Sequence, residues 1–374
     1  MNVPKLRFKE FNDEWNYKTF DELINIKSES YNPSLNKENY KCIELEHINQ
    51  NTGTINGYCN SQDQKSNKNM FKKNEVLFGK LRPYLKKYWY ATFDGVCSSE
   101  IWVVKSKNQN IVTNKFIYDL FQSHYFLQLC NLSTGSKMPR ADWSFIKEQV
   151  IAIPTIIEQE KIGKTLSLLD KKVELQAKKI EDLKLFKKGL IYNEKRNNNS
   201  WNEYKISDIM NITRGIVIPK TEISECINNE FKYPVYSSQT SNNGILGYDS
   251  KYDFNGKFLT WTTDGANAGK VFYREGKFRC TNVCGILYNK DNRYVSELTA
   301  ELLNIETPKY VSYVGNPKLM NNVMSNIIIK LPDPSRDYFF SSILKIINKK
   351  LTIEEEKLDK LFEFKKGLMQ NMFV

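Results

Sequence analysis

The chain has 374 residues, which is more than one small core usually organises, so its length predicts at least two domains. A hydrophobic share of 40% and an aromatic share of 13% exclude an intrinsically disordered protein. The formal net charge of +12 favours a polyanionic partner, either nucleic acid or an acidic membrane surface, although a basic soluble protein without such a partner would carry the same charge.

No run approaches the roughly 18 apolar residues of a membrane span, and MNVPKLRFKEFNDEW at the N-terminus lacks the apolar centre of a signal peptide, so we expect a cytoplasmic protein. The seven cysteines are odd in number and scattered, which is typical of reduced, buried thiols. Cys280 and Cys284 are close together, but His47 and His124 lie in the other half of the chain. We therefore expect no metal site.

The first predicted domain covers residues 1–153. NEVLFGK and GVCSSEIWVV are β-branched and aromatic runs bounded by Gly and Asn, which predicts strands, whereas KFIYDLFQSHYFLQLC has the spacing of one amphipathic helix.

Two stretches of this domain are candidates for DNA contact. In GKLRPYLKKYWY, cations alternate with aromatic rings, and the candidates are Lys80, Arg82, Tyr84, Lys86 and Lys87. STGSKMPRADW predicts a phosphate-binding loop with Ser136, Lys137 and Arg140. A solvated strand edge and a plain surface turn are the structural alternatives for these two stretches.

A long helix, together with the start of the polar linker NEKRNNNS, is predicted over residues 154–197. Its apolar residues alternate at steps of four and three, which is a heptad seam. The seam residues proposed to pair with a second helix are Leu166, Leu169, Val173, Ile180 and Leu183.

The second predicted domain covers residues 198–331. GKFLTWTTDG, GKVFYREGKF and NVCGILY predict strands and hairpins. Polar loops rich in Asn, Gln, Ser and Thr are suited to adenine edges or phosphates, although such loops are equally common as plain turns. The candidates are Arg214, Lys220, Ser238, Gln239, Thr240, Thr263, Asn267, Lys270, Arg274 and Lys318.

The C-terminal segment 332–374 repeats the first long helix. Pro332 follows Pro154, and Gly367 follows Gly189, by the same 178 positions, so the segment contains no insertion or deletion. The matched seam residues are Leu344, Ile347, Leu351, Leu358 and Leu361. Two polar seam positions also match, Gln176 with Glu354 and Lys187 with Lys365, and such interruptions commonly set helix register. Gly189 and Gly367 lie where the helices are expected to fray or stop.

A weaker repeat occurs upstream, where EWNYKTFDELINI resembles SWNEYKISDIMNI. A pair of long helices explains the shared phase better than two unrelated core helices do. About 30 helical residues would give a rod of about 45 Å, which is longer than one turn of B-DNA at about 34 to 36 Å.

Catalytic patterns are missing from the sequence. There is no glycine-rich phosphate loop, no GxSxG and no Asn/Asp-Pro-Pro-aromatic tetrapeptide, and Glu354, Glu355, Glu356 and Lys357 lie on the predicted helix as a solvated face. We expect no catalytic residues, and no bound cofactor, in this chain.

The chain resembles the specificity subunits of type I restriction-modification enzymes over nearly its whole length. The resemblance rests on LFGKLRPYLKKYW, on TDGANAGKVFYREGKF with CTN, and on IPTIIEQEKI before the helix that ends FKKGL. The second half departs from it, because LPDPSRDYF replaces the segment with Glu158 and Gln159, which puts in doubt any partner contact through that pair there.

The resemblance implies an α+β fold of two target recognition domains, joined and separated by two long helices in an antiparallel coiled coil, with a pseudo-twofold internal repeat. It implies an asymmetric, two-part DNA target. The implied partners are two adenine methyltransferase subunits and two ATP-dependent restriction and translocase subunits, and S-adenosylmethionine, ATP and Mg²⁺ would bind to those partners. A stand-alone DNA-binding or scaffold protein that dimerises through its helices is the alternative.

Overall fold

The computed structural model describes residues 3–132, 138–197, 201–289 and 291–373. The chain divides into two compact units. Unit 1 comprises residues 1–178 and 355–374, and unit 2 comprises residues 179–354. Each unit therefore contains one globular segment together with parts of both long helices.

Unit 1 contains short strands in two sheets and one separate pair. Its strands are β1 Asn16–Thr19, β2 Ile24–Asn25, β3 Ser30–Tyr31, β4 Lys41–Ile43, β5 Cys59–Asn60, β6 Lys68–Phe71, β7 Val76–Gly79, β8 Tyr88–Tyr90, β9 Gly95–Cys97, β10 Ile101–Ser106 and β11 Val150–Ile153. Its helices are α1 Phe20–Leu23, α2 Asn114–Leu120, α3 His124–Leu132, α4 Trp143–Ile146 and the first part of α5 Ile156–Asn197. The sheet orders are β2-β10-β7-β8, β3-β6-β9-β4-β5 and β1-β11.

The predicted strands of unit 1 are confirmed, but the single helix predicted over KFIYDLFQSHYFLQLC is wrong. The structure has α2 and α3 there, separated at residues 121–123. The Ser123 hydroxyl accepts a hydrogen bond from the Phe126 amide at 3.3 Å, which starts the second helix. The break lets Phe121 and Phe126 stack with ring centroids 3.8 Å apart in the core.

Unit 2 contains one large sheet and a second separate pair. Its strands are β12 Asn202–Lys205, β13 Asn211–Arg214, β14 Tyr233–Tyr236, β15 Ile245–Asp249, β16 Phe254–Thr262, β17 Val271–Cys280, β18 Cys284–Tyr288 and β19 Ile328–Leu331. Its helices are α6 Ile206–Ile209, α7 Glu297–Glu306, α8 Asn321–Ser325 and the first part of α9 Pro334–Asn371. The sheet orders are β13-β18-β16-β17-β14-β15 and β12-β19.

The two separate strand pairs are built alike. In unit 1, β1 pairs antiparallel with β11, so that Asn16 lies opposite Ile153. In unit 2, β12 pairs antiparallel with β19, and Asn202 lies opposite Leu331. Each pair joins the start of a globular segment to the strand just before a long helix, which explains the repeated tryptophan-containing segments.

The long helices α5 and α9 confirm the predicted helical segments but exceed their predicted length. They contain 42 and 38 residues, so α5 is about 63 Å long at 1.5 Å per residue. The predicted ends at Gly189 and Gly367 are wrong, because both helices continue past the glycine. Residues 193–197 of the predicted linker are helical, and residues 198–200 lie outside the described part of the chain.

Within unit 2 the two helices run antiparallel. Lys179 pairs with Glu354 at 3.0 Å, and Lys187 bonds to Asn348 at 3.0 Å, so residue numbers rise along one helix as they fall along the other. Within unit 1 the equivalent of the second contact joins Lys365 to Asp170 at 2.5 Å. The matched seam lysines thus occupy equivalent hydrogen-bonded places.

The proposed seam residues differ in exposure. Some are buried, namely Leu166, Leu169, Ile180, Leu344, Ile347 and Leu351. The others are half-buried, namely Val173, Leu183, Leu358 and Leu361. Leu166 and Leu344 belong to the main cores of unit 1 and unit 2, respectively, so the seam is continuous with each globular core.

The start of α5 is fixed by the Glu-Gln pair of the sequence motif. Glu158 accepts two hydrogen bonds from Arg7, both at 2.8 Å. Gln159 accepts from the Thr113 amide at 2.9 Å and donates to the carbonyls of Ile111 and Pro154 at 2.8 and 2.9 Å. Both side chains are buried. The polar atoms of this pair are thus bonded inside unit 1.

The start of α9 makes matching contacts with other residue types. Arg336, which follows Glu158 by 178 positions, forms a two-pronged ion pair with Glu194. Asp337, the counterpart of Gln159, accepts a hydrogen bond from the Ser296 hydroxyl at 2.9 Å. Ser296 caps α7, just as Thr113 caps α2. The segment LPDPSRDYF thus makes the same two kinds of contact. Its helix residue in the ion pair is the cation Arg336, whereas the equivalent residue of α5 is the anion Glu158.

Candidate nucleic-acid interface

The basic and aromatic stretch of unit 1 forms the loop between β7 and β8. Arg82 and Lys86 both adopt a left-handed backbone with φ of 51°, which is uncommon for residues with a β-carbon. The Arg82 and Tyr84 side chains are exposed, and those of Lys80, Lys86 and Lys87 are half-buried. These two residues shape the loop so that the side chains of Arg82 and Tyr84, both predicted to contact DNA, are exposed to solvent.

Lys87 has an internal partner, since its ammonium donates to the carbonyl oxygen of Leu45. It therefore ties the end of the loop to the segment after β4. Lys87, one of the predicted DNA contacts of this loop, thus stabilises the position of the loop through this hydrogen bond.

The loop is joined through its backbone to the second candidate stretch of unit 1. The Arg82 amide donates to the Pro139 carbonyl at 2.7 Å, and the Ala141 amide donates to the Lys80 carbonyl at 2.9 Å. Leu81 and Arg140 thereby form an isolated antiparallel bridge. The two predicted stretches, about 60 residues apart in sequence, form one composite surface. We call this the unit 1 clasp, residues 80–82 with 139–141.

Arg140 is exposed and forms a two-pronged ion pair with Glu100 at 3.1 and 3.0 Å. The carboxylate holds the guanidinium beside the loop, and the exposure of the pair keeps its stabilising effect small. Ser136 and Lys137, the other candidates of this stretch, lie outside the described residues.

Unit 2 has a clasp with the same hydrogen bonds. The Gly265 amide donates to the Pro317 carbonyl at 2.9 Å, and the Leu319 amide donates to the Thr263 carbonyl at 2.8 Å. Asp264 and Lys318 form the bridge. We call this the unit 2 clasp, residues 263–265 with 317–319.

The two clasps are repeats of one another. Pro317 and Lys318 follow Pro139 and Arg140 by 178 positions, the same separation that relates the long helices. A basic residue occupies the same bridge position in both. GNPKLMNN of unit 2 thus takes the place that the segment around Arg140 takes in unit 1.

The polar loops of unit 2 approach its clasp. The side-chain amide of Asn267 donates to the Thr240 hydroxyl at 3.0 Å, which joins the loop after β14 to the loop after β16. Ser238, Gln239 and Thr240 are half-buried, and Gln239 donates to the Ile245 carbonyl. Thr240 and Asn267 therefore form one polar surface beside the clasp.

The remaining basic candidates of unit 2 are exposed. Arg214 lies at the end of β13, Lys220 follows in the next loop, Lys270 immediately precedes β17, and Lys318 is in the clasp. Only Lys270 and Lys318 adjoin the clasp through the chain, and burial lowers the pKa of the Lys270 ammonium.

Two candidates are corrected by their burial. Arg274 is 3% exposed, stacks 3.7 Å over the Tyr236 ring, and donates to the Thr260 hydroxyl and the Asn243 carbonyl. Burial lowers the pKa of its guanidinium. Arg274 thus holds the 239–244 loop from inside and does not present its charge to a ligand.

Thr263 is also 3% exposed, and its hydroxyl donates to the carbonyl of Val283 at 3.0 Å. It supports the clasp through its backbone carbonyl and through this internal bond. No surface of its side chain remains for a base or a phosphate.

Two residues that the sequence did not single out lie at the tip of the hairpin beside the unit 2 clasp. Tyr313 is 69% exposed and Val314 is 93% exposed. The available signal was an apolar pair followed by Gly-Asn-Pro, which is typical of a protruding turn.

Among residues 3–132, 138–197, 201–289 and 291–373, no group of three or more His, Cys, Asp or Glu side chains is placed to hold a metal ion. Cys280 and Cys284 are buried. The described helices also include none that is long and apolar enough to cross a membrane.

This duplicated arrangement matches the sequence pattern of a known protein family. The sequence pattern described as "Type I restriction modification DNA specificity domain" matches residues 12–185 and again residues 198–363. The chain belongs to this family. Its two matched regions each contain one strand pair, one clasp and the first part or more of one long helix.

Several relatives in Mycoplasma pneumoniae are described as type I specificity subunits. One type I specificity subunit is 47% identical over 125 residues, covering 33% of this chain and 65% of the relative. Another is 34% identical over 230 residues, covering 59% of this chain and 83% of the relative. The match to a third covers 46% of that relative. The chain thus spans less than two thirds of the length of some curated relatives that it matches.

A solved structure supports the fold over the whole chain. The type I restriction-modification S subunit from M. genitalium superposes with a TM-score of 0.70 at 18% identity, covering 100% of this chain and 99% of that one. Because the identity is low, this likeness shows the fold alone. It agrees with the predicted α+β architecture with two long helices.

Proposed function

We propose that this chain is the DNA specificity subunit of a type I restriction-modification complex, and that each unit reads one part of a two-part target. The observation that carries the proposal is the repeated clasp. The same backbone hydrogen bonds hold a basic residue, Arg140 or Lys318, beside a polar or aromatic loop in both units. Family membership supplies the DNA-targeting context.

The target should be asymmetric because the side chains around the clasps differ. Unit 1 presents Arg82 and Tyr84, which suit phosphates, guanine edges and base stacking. Unit 2 presents Thr240 and Asn267, and an Asn amide suits an adenine edge. Two different surfaces on one repeated frame read two different base sequences.

The chemistry of the complex belongs to partners in this proposal. Two adenine methyltransferase subunits and two ATP-dependent restriction and translocase subunits would bind S-adenosylmethionine, ATP and Mg²⁺. A relative of this chain is described as the specificity subunit of the type I restriction enzyme MpnII of Mycoplasma pneumoniae, 38% identical over 164 residues. This chain selects the DNA sequence and is not itself an enzyme.

The test is a map of methylated adenines in the native host, with and without the gene for this chain. We expect one motif of two defined blocks with a fixed gap, and its loss on deletion. Replacing residues 1–150 by the equivalent region of a relative should change one block and leave the other block and the gap intact.

A methylation map that is the same without the gene would refute the proposal. So would purification of the chain from its host without a methyltransferase but with tight, sequence-selective DNA binding. That second result would favour a stand-alone DNA-binding protein that dimerises through its helices.

A further inference from the structure

Residues 311–319 form a hairpin whose tip is apolar and exposed. Ser312 and Lys318 exchange two backbone hydrogen bonds of 2.9 Å, so the tip consists of residues 313–317. Val314 is 93% exposed and Tyr313 is 69% exposed. Gly315 has φ of +76°, which allows the sharp turn that pushes the two side chains outward.

The base of the hairpin is fixed to the core of unit 2. Leu319 is fully buried, and its amide and the Pro317 carbonyl make the clasp bonds to residues 263–265. The Trp261 indole also donates to the Leu319 carbonyl at 3.0 Å. The hairpin therefore holds two apolar side chains in water on an anchored frame, where a ligand can cover them.

Nucleic acid is the ligand that the surroundings favour. Lys318 is exposed on the returning strand of the hairpin and directly follows the tip. The clasp joins the hairpin to the loop that carries Asn267 and Lys270, so the apolar tip is continuous with a polar and basic surface. Apolar side chains within such surfaces contact thymine methyl groups or pack against base steps.

We propose that Tyr313 and Val314 make apolar contacts with the bases of the DNA block that unit 2 reads, and so help to determine its sequence. This inference rests on the proposed function and adds specificity-determining residues to it. Lys318 beside them neutralises a phosphate and positions the tip.

The first experiment replaces the chromosomal gene in the native host by a Val314→Ser or a Tyr313→Ser variant and maps methylated adenines. We expect one block of the motif to become degenerate at one or two adjacent positions, while the other block is unchanged. The control is Ile227→Ser, which alters another exposed apolar side chain of unit 2, located between Glu225 and Glu230. It should leave the motif intact.

The second experiment uses the complex purified from the host with its copurifying subunits. Binding is measured to a duplex that carries the mapped motif and to a scrambled duplex of the same length, between low and moderate salt. Val314→Ser should weaken binding to the motif about tenfold, since a buried Val contributes at least this much, and should leave the scrambled duplex unaffected.

Salt dependence separates an apolar contact from a charged one. The slope of log affinity against log salt should be unchanged in Val314→Ser and should become shallower by about 0.9 in Lys318→Gln, which removes one phosphate contact.

Three results would overturn the inference. The variants could leave the motif unaltered, they could weaken both duplexes equally, or they could lose a copurifying subunit while a melting curve shows intact folding. The last result would assign the tip to a protein partner. These differ from failure of the proposed function, in which the unmodified gene itself has no effect on methylation.

Discussion

Replacing Gln159 by Met would test whether the Glu-Gln pair at the start of α5 stabilises unit 1 or binds a partner. Met has a similar size and flexibility but makes none of the three hydrogen bonds of the amide. The Thr113 amide loses its acceptor in a buried place, which costs about 1 to 3 kcal/mol, and the lost bonds to the two carbonyls add about 1 kcal/mol. We expect a loss of about 3 kcal/mol.

The assay is thermal unfolding of the full chain, followed by circular dichroism. For a unit of this size, about 3 kcal/mol lowers the unfolding midpoint of unit 1 by roughly 6 to 12 °C. The matched control is Glu160→Met at the next, exposed position of α5, which should change the midpoint little. A Gln159→Met variant that melted like the native chain but no longer retained its partner subunits would refute the internal role.

Three further changes test other parts of the structure. Burial raises the pKa of Asp337 to about 6, above its unfolded value of about 3.9, so the folded state keeps the proton longer and stability falls as pH rises from 4 to 6. Asp337→Asn should remove this dependence and stabilise unit 2 at pH 8 by at most about 3 kcal/mol in urea unfolding. Gly285→Ala would place a β-carbon 2.2 Å from the buried Trp261 ring, and should cost about 3 kcal/mol in the same assay. Arg82→Gln should make the salt slope of DNA binding shallower by about 0.9.

Each of these three predictions would be contradicted by one specific result. An Asp337→Asn variant with the native pH dependence would mean that another group titrates. A Gly285→Ala variant of native stability would mean that the ring can move away at no cost. Lys73→Gln is the control for Arg82→Gln, because Lys73 precedes β7 whereas Arg82 follows it; equal slopes in the two variants would place Arg82 away from DNA.

The repeated parts of the fold could be predicted because repetition is visible in sequence. The shared heptad spacing and the constant separation of 178 positions predicted the two long helices. Strands such as β16 and β18 were predictable from β-branched and aromatic residues between turn residues. The helix break at Ser123 was not, because Ser also occurs within helices and only its bond to the Phe126 amide distinguishes a cap.

The roles of individual polar residues were less predictable. Arg274 looks like a DNA contact in sequence, but Tyr236 and the Asn243 carbonyl reach it from segments about 30 to 40 residues away. The Gln159 side chain likewise bonds inside unit 1, where it accepts a hydrogen bond from the backbone amide of Thr113. Such contacts depend on tertiary structure, so composition and spacing do not reveal them.

The clasp hydrogen bonds run between backbone atoms only. The side chains at the bridge can change from Leu81 and Arg140 in one unit to Asp264 and Lys318 in the other without altering the bonds that hold the loops together. Substitutions at these bridge positions therefore leave the clasp hydrogen bonds in place. A lineage could change the side chains that the clasp presents by point mutation while keeping the frame that holds them.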